Sequence, residues 1–236
     1  MIEIKELYKK FGKNEVLKGI NLTIDKPGIF AVLGPNGSGK TTLIKSILGM
    51  VLPNSGDILV NGKSILKDWK YREGIDYLPQ IANFPSNLTV SELIKMIKDL
   101  RLKPDLDESK FIKRFGLQPY MDKKLGNLSG GTKQKVNILL TFLFDSPIIF
   151  LDEPTTGLDP VAMVILKEFI AEEKAKGKII LITSHILSFV EEVADEIVFL
   201  LEGKVYFKGT VLELKEETQE NDFEKAIANL LISQYA

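Results

Sequence analysis

The sequence predicts an α/β fold with a mostly parallel central sheet, an antiparallel β segment at its N-terminal end and a helical segment in its middle. Three observations predict it. The wholly apolar runs "IFAVL" (29–33), "IIFL" (148–151) and "IILI" (179–182) have the length and composition of strands buried on both faces. Stretches with helical spacing separate such runs, the arrangement of a parallel sheet covered by helices. The first third instead reads as strands broken by turn residues.

In chain order, "IEIKEL", "VLKGINLTI" and "GIFAVLG" are β-rich. A Gly-rich loop and helix-forming residues then fill the interval up to "ILGM", and "LPNSGDILVNG" is a strand between two turn signals. Residues 86 to 144 are expected to be helical. Within them "TVSE" (89–92) has the form of a capping box, and Leu93, Ile94, Ile97 and Leu100 follow at helical spacing. After "IIFL", Asp159 and Pro160 suit the N-cap and first position of a helix that stops near Gly177. The strand "IILIT" is followed by a helix from about Ile186. "EIVFLLEGKVYF" reads as a hairpin turning at Glu202-Gly203, and the acidic-polar "KEETQEND" (215–222) as a linker to a short C-terminal helix. The expected organisation is one domain over 1–215, with a helical subdomain at about 86–144, then the linker and helix over 216–236.

Apolar residues make up 44% and charged residues 27% of the 236, which is ordinary for a soluble globular protein. The net charge of −1 gives no basic field for nucleic acid or an anionic membrane. With no cysteine there is no disulfide or thiolate metal site. The apolar runs fall far short of the roughly 20 residues that span a bilayer. Any link to a membrane is therefore expected to pass through a partner.

"GPNGSGKT" (34–41) fits G-x-x-x-x-G-K-[ST], and it lies between a strand and a helix as that motif requires. Gly34, Gly37 and Gly39 let backbone N–H groups turn toward phosphate oxygens, and the following helix adds its positive end. Lys40 can reach the β- and γ-phosphates, and the Thr41 hydroxyl can ligate Mg²⁺. Asn36 and Thr42 belong to the same candidate nucleotide contacts. "IIFLDEP" ends a buried strand in two carboxylates, where open α/β sheets place ligands. Asp152 suits the Mg²⁺ shell, and Glu153 can orient or deprotonate an attacking water. The fold class is thus a P-loop NTPase core.

Over residues 1 to about 215 the chain resembles the ATP-binding cassette of ABC transporters. "LSGGTKQKV" (128–136) resembles the family's signature, "TGLD" (156–159) its D-loop and "ITSH" (182–185) its switch region, while Gln80 in "YLPQ" resembles the Q-loop glutamine. The resemblance implies that His185, the only histidine, contacts the γ-phosphate and partners Glu153. It implies that Gln80 senses Mg²⁺ or the nucleophilic water and that Ser38 touches the γ-phosphate. Tyr8 and Phe11 both suit core positions, and the resemblance favours Phe11 as the ring against adenine. Asp159 has both a capping and a D-loop reading. Ser129, Gly130 and Gly131 would cover ATP held by a second copy docked head to tail, making a homodimer. Thr132 stands where the family usually has Gln.

The expected function follows: ATP hydrolysis that drives a separate integral membrane permease, with ATP and Mg²⁺ as cofactors. The site would lie on the cytoplasmic face of the cell membrane, without direct membrane insertion and without nucleic acid. The exposed-looking Phe84-Pro85 pair just after Gln80 is an expected seat for the permease, and Trp69 a structural or surface residue. The pattern leans toward export. The loops "YLPQIANFPSNLTVSEL" and "ADEIVFLLEGKVYFKG" are also similar to the ATPases of nitrous oxide reductase copper-site maturation, which gives copper export as a subfamily expectation. The alternatives are a soluble ATPase of cofactor or cluster assembly and a nucleotide-binding module without hydrolysis.

Overall fold

The computed structural model describes residues 1–232. Strands β1 (Ile2–Phe11) and β2 (Asn14–Ile24) form a hairpin, and β3 (Gly28–Leu33) leads through the phosphate loop into α1 (Lys40–Ile47). Then come β4 (Ser55–Val60), β5 (Lys63–Ser64) and β6 (Ile75–Leu78). The helical segment holds α2 (Val90–Leu100), α3 (Ser109–Phe115) and α4 (Gly130–Phe142). The last part alternates β7 (Ile148–Asp152), α5 (Pro160–Ala175), β8 (Ile179–Thr183), α6 (Leu187–Val193), β9 (Glu196–Leu201) and β10 (Lys204–Gly209). Helices α7 (Val211–Thr218) and α8 (Phe223–Ile232) follow.

Two sheets result. One is antiparallel in the order β2-β1-β4-β5; the other runs β10-β9-β3-β8-β7-β6 and is parallel except at the β9–β10 hairpin. Side chains alternate across a strand, and the sheet uses this to serve two cores. Ile29, Ala31, Leu33, Ile149, Leu151, Ile180 and Ile182 face the core under the helices. Phe30, Val32, Ile148, Phe150, Ile179 and Leu181 face the antiparallel sheet and α1. The apolar runs are therefore continuous because both faces are covered.

The capping box forms at Thr89 and Glu92, with the Thr89 amide donating to Glu92 Oε2 at 2.8 Å and the Glu92 amide to Thr89 Oγ1 at 3.2 Å. Asp159 caps α5 through the Ala162 amide at 2.8 Å. Glu202 and Gly203 both take positive φ, 47° and 81°, in the β9–β10 turn. The 215–222 stretch differs from the expected linker. Its first half is the last turns of α7, since the Thr210–Glu213 capping box starts that helix, and only 219–222 connect it to α8. Helix α8 then buries Phe223, Ala226, Ile227 and Leu230 in the main core, so apolar burial rather than a tether holds it in place. Residues 233–236, part of the expected C-terminal helix, lie outside the described residues.

Candidate active site

The phosphate loop, the end of β7 and the end of β8 meet around a cleft of about 300 Å³. It is lined by Asn14, Val16, Asn36, Gly37, Gly39, Lys40, Thr41, Thr42, Gln80, Asp152, Glu153 and Thr183. The strand order explains the meeting. β3 and β7 flank β8 in parallel, so their C-terminal ends, and the residues just beyond them, share one edge. Gly39 is the N-cap of α1 at φ +107°, a conformation a side chain would resist, and no side chain caps the helix there. Ser38 is 2% exposed and its hydroxyl has no partner among the described residues. A buried orphan hydroxyl in this loop is what a phosphate oxygen would satisfy.

Lys40 Nζ folds back onto the carbonyls of Gly34 and Pro35 at 2.7 and 3.1 Å. Burial pulls its pKa down, and the charges of Glu153 and Asp152 oppose that pull. The ammonium thus sits with two carboxylates on the same cleft, satisfied by carbonyls it can exchange for phosphate.

Asp152 is buried and held from two sides. Thr183 Oγ1 donates to its Oδ1 at 2.5 Å, and the Tyr77 hydroxyl reaches Oδ2 at 3.5 Å. Burial, and then the Asp152 charge, push the Tyr77 pKa up to about 12, which keeps that hydroxyl a donor. Glu153 is also buried, and its Oε2 lies 2.7 Å from His185 Nδ1. The histidine side chain is 70% exposed and the carboxylate 10%, so the ring forms the outer wall of the pair. Glu153 adopts φ +49°. Its amide donates to both the carbonyl and the hydroxyl of Thr183 at 3.1 Å, which anchors the turn.

Several of the other expected residues lie off the cleft. Ser129 and Gly130 are exposed at the start of α4 and do not line the cleft. Asp159 likewise lies off the cleft, paired with Lys135 Nζ of α4 at 2.6 Å; this ion pair first, and the Ala162 amide next, lower its pKa. Gly131 packs against the D-loop, where an added Cβ would meet the Gly157 carbonyl at 2.6 Å. Tyr8 and Phe11 are not core residues, being 42% and 51% exposed. Phe11 faces Asn14 across the β1–β2 turn, beside the cleft rim, with Lys9 Nζ 4.8 Å from its ring centroid. Gln80 is exposed and lines the cleft. Phe84 is half-buried against the main core rather than exposed, whereas Ile81 is 75% exposed. Trp69 is a surface residue, 63% exposed.

Thr183 and Tyr77 were not among the expected site residues. Thr183 had a signal. In the parallel register of β7 and β8 it stands opposite Asp152, two residues before His185. Tyr77 had none beyond its place three residues before Gln80.

A family model described as "ABC transporter" matches residues 17–156, and a second, an AAA domain, matches residues 124–191. The chain is 33% identical over 224 residues to the lantibiotic transport ATP-binding protein SrtF of Streptococcus pyogenes, covering 94% of this chain and 93% of that protein. It is 34% identical to the ABC-type transporter ATP-binding protein EcsA of Bacillus subtilis, covering 92% and 90%. A solved ATP-binding subunit of an ABC transporter superposes with a TM-score of 0.90 at 30% identity, covering 98% of this chain and 99% of that one.

Proposed function

The chain belongs to the ABC transporter family of ATP-binding cassettes, and from that membership we propose how its own residues bind and hydrolyse ATP. As a member it is the ATP-hydrolysing subunit of a transporter. The observation that carries the residue assignment is the single cleft shared by the phosphate loop, Asp152 and Glu153, with His185 on Glu153.

The loop amides from Gly34 to Gly39 and the α1 start hold the phosphates, with Ser38, Thr42 and Asn36 as further contacts, and Lys40 leaves its carbonyls to meet the β- and γ-phosphates. Phe11 offers an exposed ring for the adenine. The Thr41 hydroxyl and the Asp152 carboxylate are hard oxygen donors lining the same cleft, which suits Mg²⁺. That ion, when bound, neutralises charge on the β- and γ-phosphates. Thr183 fixes the orientation of Asp152, and Gln80, on the same cleft, senses the ion or the attacking water. With Glu153 Oε2 on His185, its Oε1 is left to take the proton of that water.

Ser129, Gly130 and Gly131 complete the site of a second copy docked head to tail, and Asp159 borders the same interface. The exposed Ile81 after Gln80 replaces Phe84 as the seat of the permease contact. No helix among the described residues is long and apolar enough to cross a membrane. The permease, a partner that the relatives' role in transport favours, would hold the subunit at the cytoplasmic face. The relatives' names speak of transport, which favours that role over cluster assembly; the copper expectation gains no support from them.

Glu153→Gln tests the assignment. ATP affinity should stay within about twofold while turnover falls by about 10²-fold or more, the usual range for losing a general base. Turnover at the parental rate would refute the role.

A further inference from the structure

Two buried amides on α4 have no place in the site described above. Gln134 and Asn137 are 4% and 5% exposed, and a buried amide is costly unless bonded, so their partners are informative. Gln134 Nε2 donates to the Pro154 carbonyl at 3.2 Å, and Asn137 Nδ2 donates to the Pro79 carbonyl at 3.2 Å. The spacing of three puts both on one helix face, and Asn137 Nδ2 lies 3.5 Å from Gln134 Oε1.

Those two carbonyls belong to the immediate neighbours of Glu153 and Gln80. Glu153 needs such support, because φ +49° is sparsely populated for a residue with a side chain. Thr183 holds its amide on one side, and Gln134 holds the next carbonyl on the other. The helix that supplies the two amides is the one that begins at Ser129.

We propose that Gln134 and Asn137 are positioning residues, through which the seating of α4 sets the orientation of Glu153 and Gln80 in the same chain. The signature helix would then serve two sites: its N-terminus caps the partner copy's ATP, and its buried face aims the carboxylate at its own. This rests on the reading of Glu153 as the base.

Gln134→Met keeps length and volume and removes the donor. Its kcat should fall about tenfold, the worth of one buried hydrogen bond, while KM for ATP and the affinity for a non-hydrolysable analogue stay within about twofold. Asn137→Leu should show the same split at about threefold. A general loss of structure would instead move KM and affinity together with kcat. Should Gln134→Met fail to bind the analogue, Gln134→Asn, one methylene shorter, must show the split. Parental kcat in the nucleotide-binding variant, or an equal loss in kcat and affinity, would overturn the proposal. Glu153→Gln is assayed alongside. If it loses turnover while the Gln134 variants do not, only this inference fails; if it keeps turnover, the underlying reading fails.

Discussion

Two helix starts in this molecule are assigned above to meet a phosphate, and they are finished differently. Helix α1 begins at Gly39 with no side-chain cap, and its first turn opens onto the cleft of Asp152 and Glu153. Helix α4 begins at Ser129, whose hydroxyl accepts the Thr132 amide at 3.2 Å and lies 2.9 Å from Thr132 Oγ1. Free N–H groups at a helix start need a partner. In the proposed function a phosphate is that partner at α1, held by residues of the same chain. At α4 the Ser129 hydroxyl already accepts one of those amides from within the same chain. In the proposed dimer a self-capped start suits a contact that is made and broken, because one of its amides keeps a partner when no ligand is present.

The contrast can be broken from either side. Lys40→Ala removes a charge that the α1 site uses alone, so kcat/KM for ATP should fall by about 10²–10³-fold, as when one preorganised donor to developing charge is lost. Nucleotide binding by the isolated chain should weaken with it. Ser129→Arg should depress turnover by about 10²-fold yet leave the isolated chain's ATP affinity within about twofold, because the residue lies off its own cleft. Equal loss of affinity in both variants would erase the distinction. Ser129→Ala probes the resting cap: about 1 kcal/mol of stability, or a Tm lower by about 2–4 °C, should disappear without ATP present. Thr132→Gln is the smallest change. It removes the hydroxyl against Ser129 but keeps the capping amide, so turnover should move by less than about threefold. A larger change would mean that the Thr132 hydroxyl itself helps to aim Ser129.

Much of this was legible in the residues, for identifiable reasons. Both-face burial wrote itself as "IIFL" and "IILI", and the Thr89–Glu92 box and the Asp159-Pro160 start are local chemistry that tertiary context did not override. The phosphate loop and the Asp152-Glu153 pair were legible as motifs that follow strands, and the strand order brings them to one cleft. What was missed depends on pairing across the sheet. Thr183 matters because the β7–β8 register sets it against Asp152, and Gln134 and Asn137 matter because α4 lies against the ends of β6 and β7. Phe84 looked exposed because its neighbours are polar and turn-forming, but the core beneath α2 takes it up. The 215–222 stretch looked like a linker by composition, yet its Thr210 cap and the apolar face of α8 decide otherwise.

If the α4 start works on a second molecule, two variants that are each inactive should restore one another when mixed. Lys40→Ala has a broken cradle and an intact α4 start; Ser129→Arg has the reverse. Each alone should be nearly inactive. Mixed in equal amounts, about half of the dimers pair the two, and each such dimer holds one intact site of two. ATP hydrolysis should then reappear at up to about a quarter of the parental rate. A mixture as inactive as its components would contradict it.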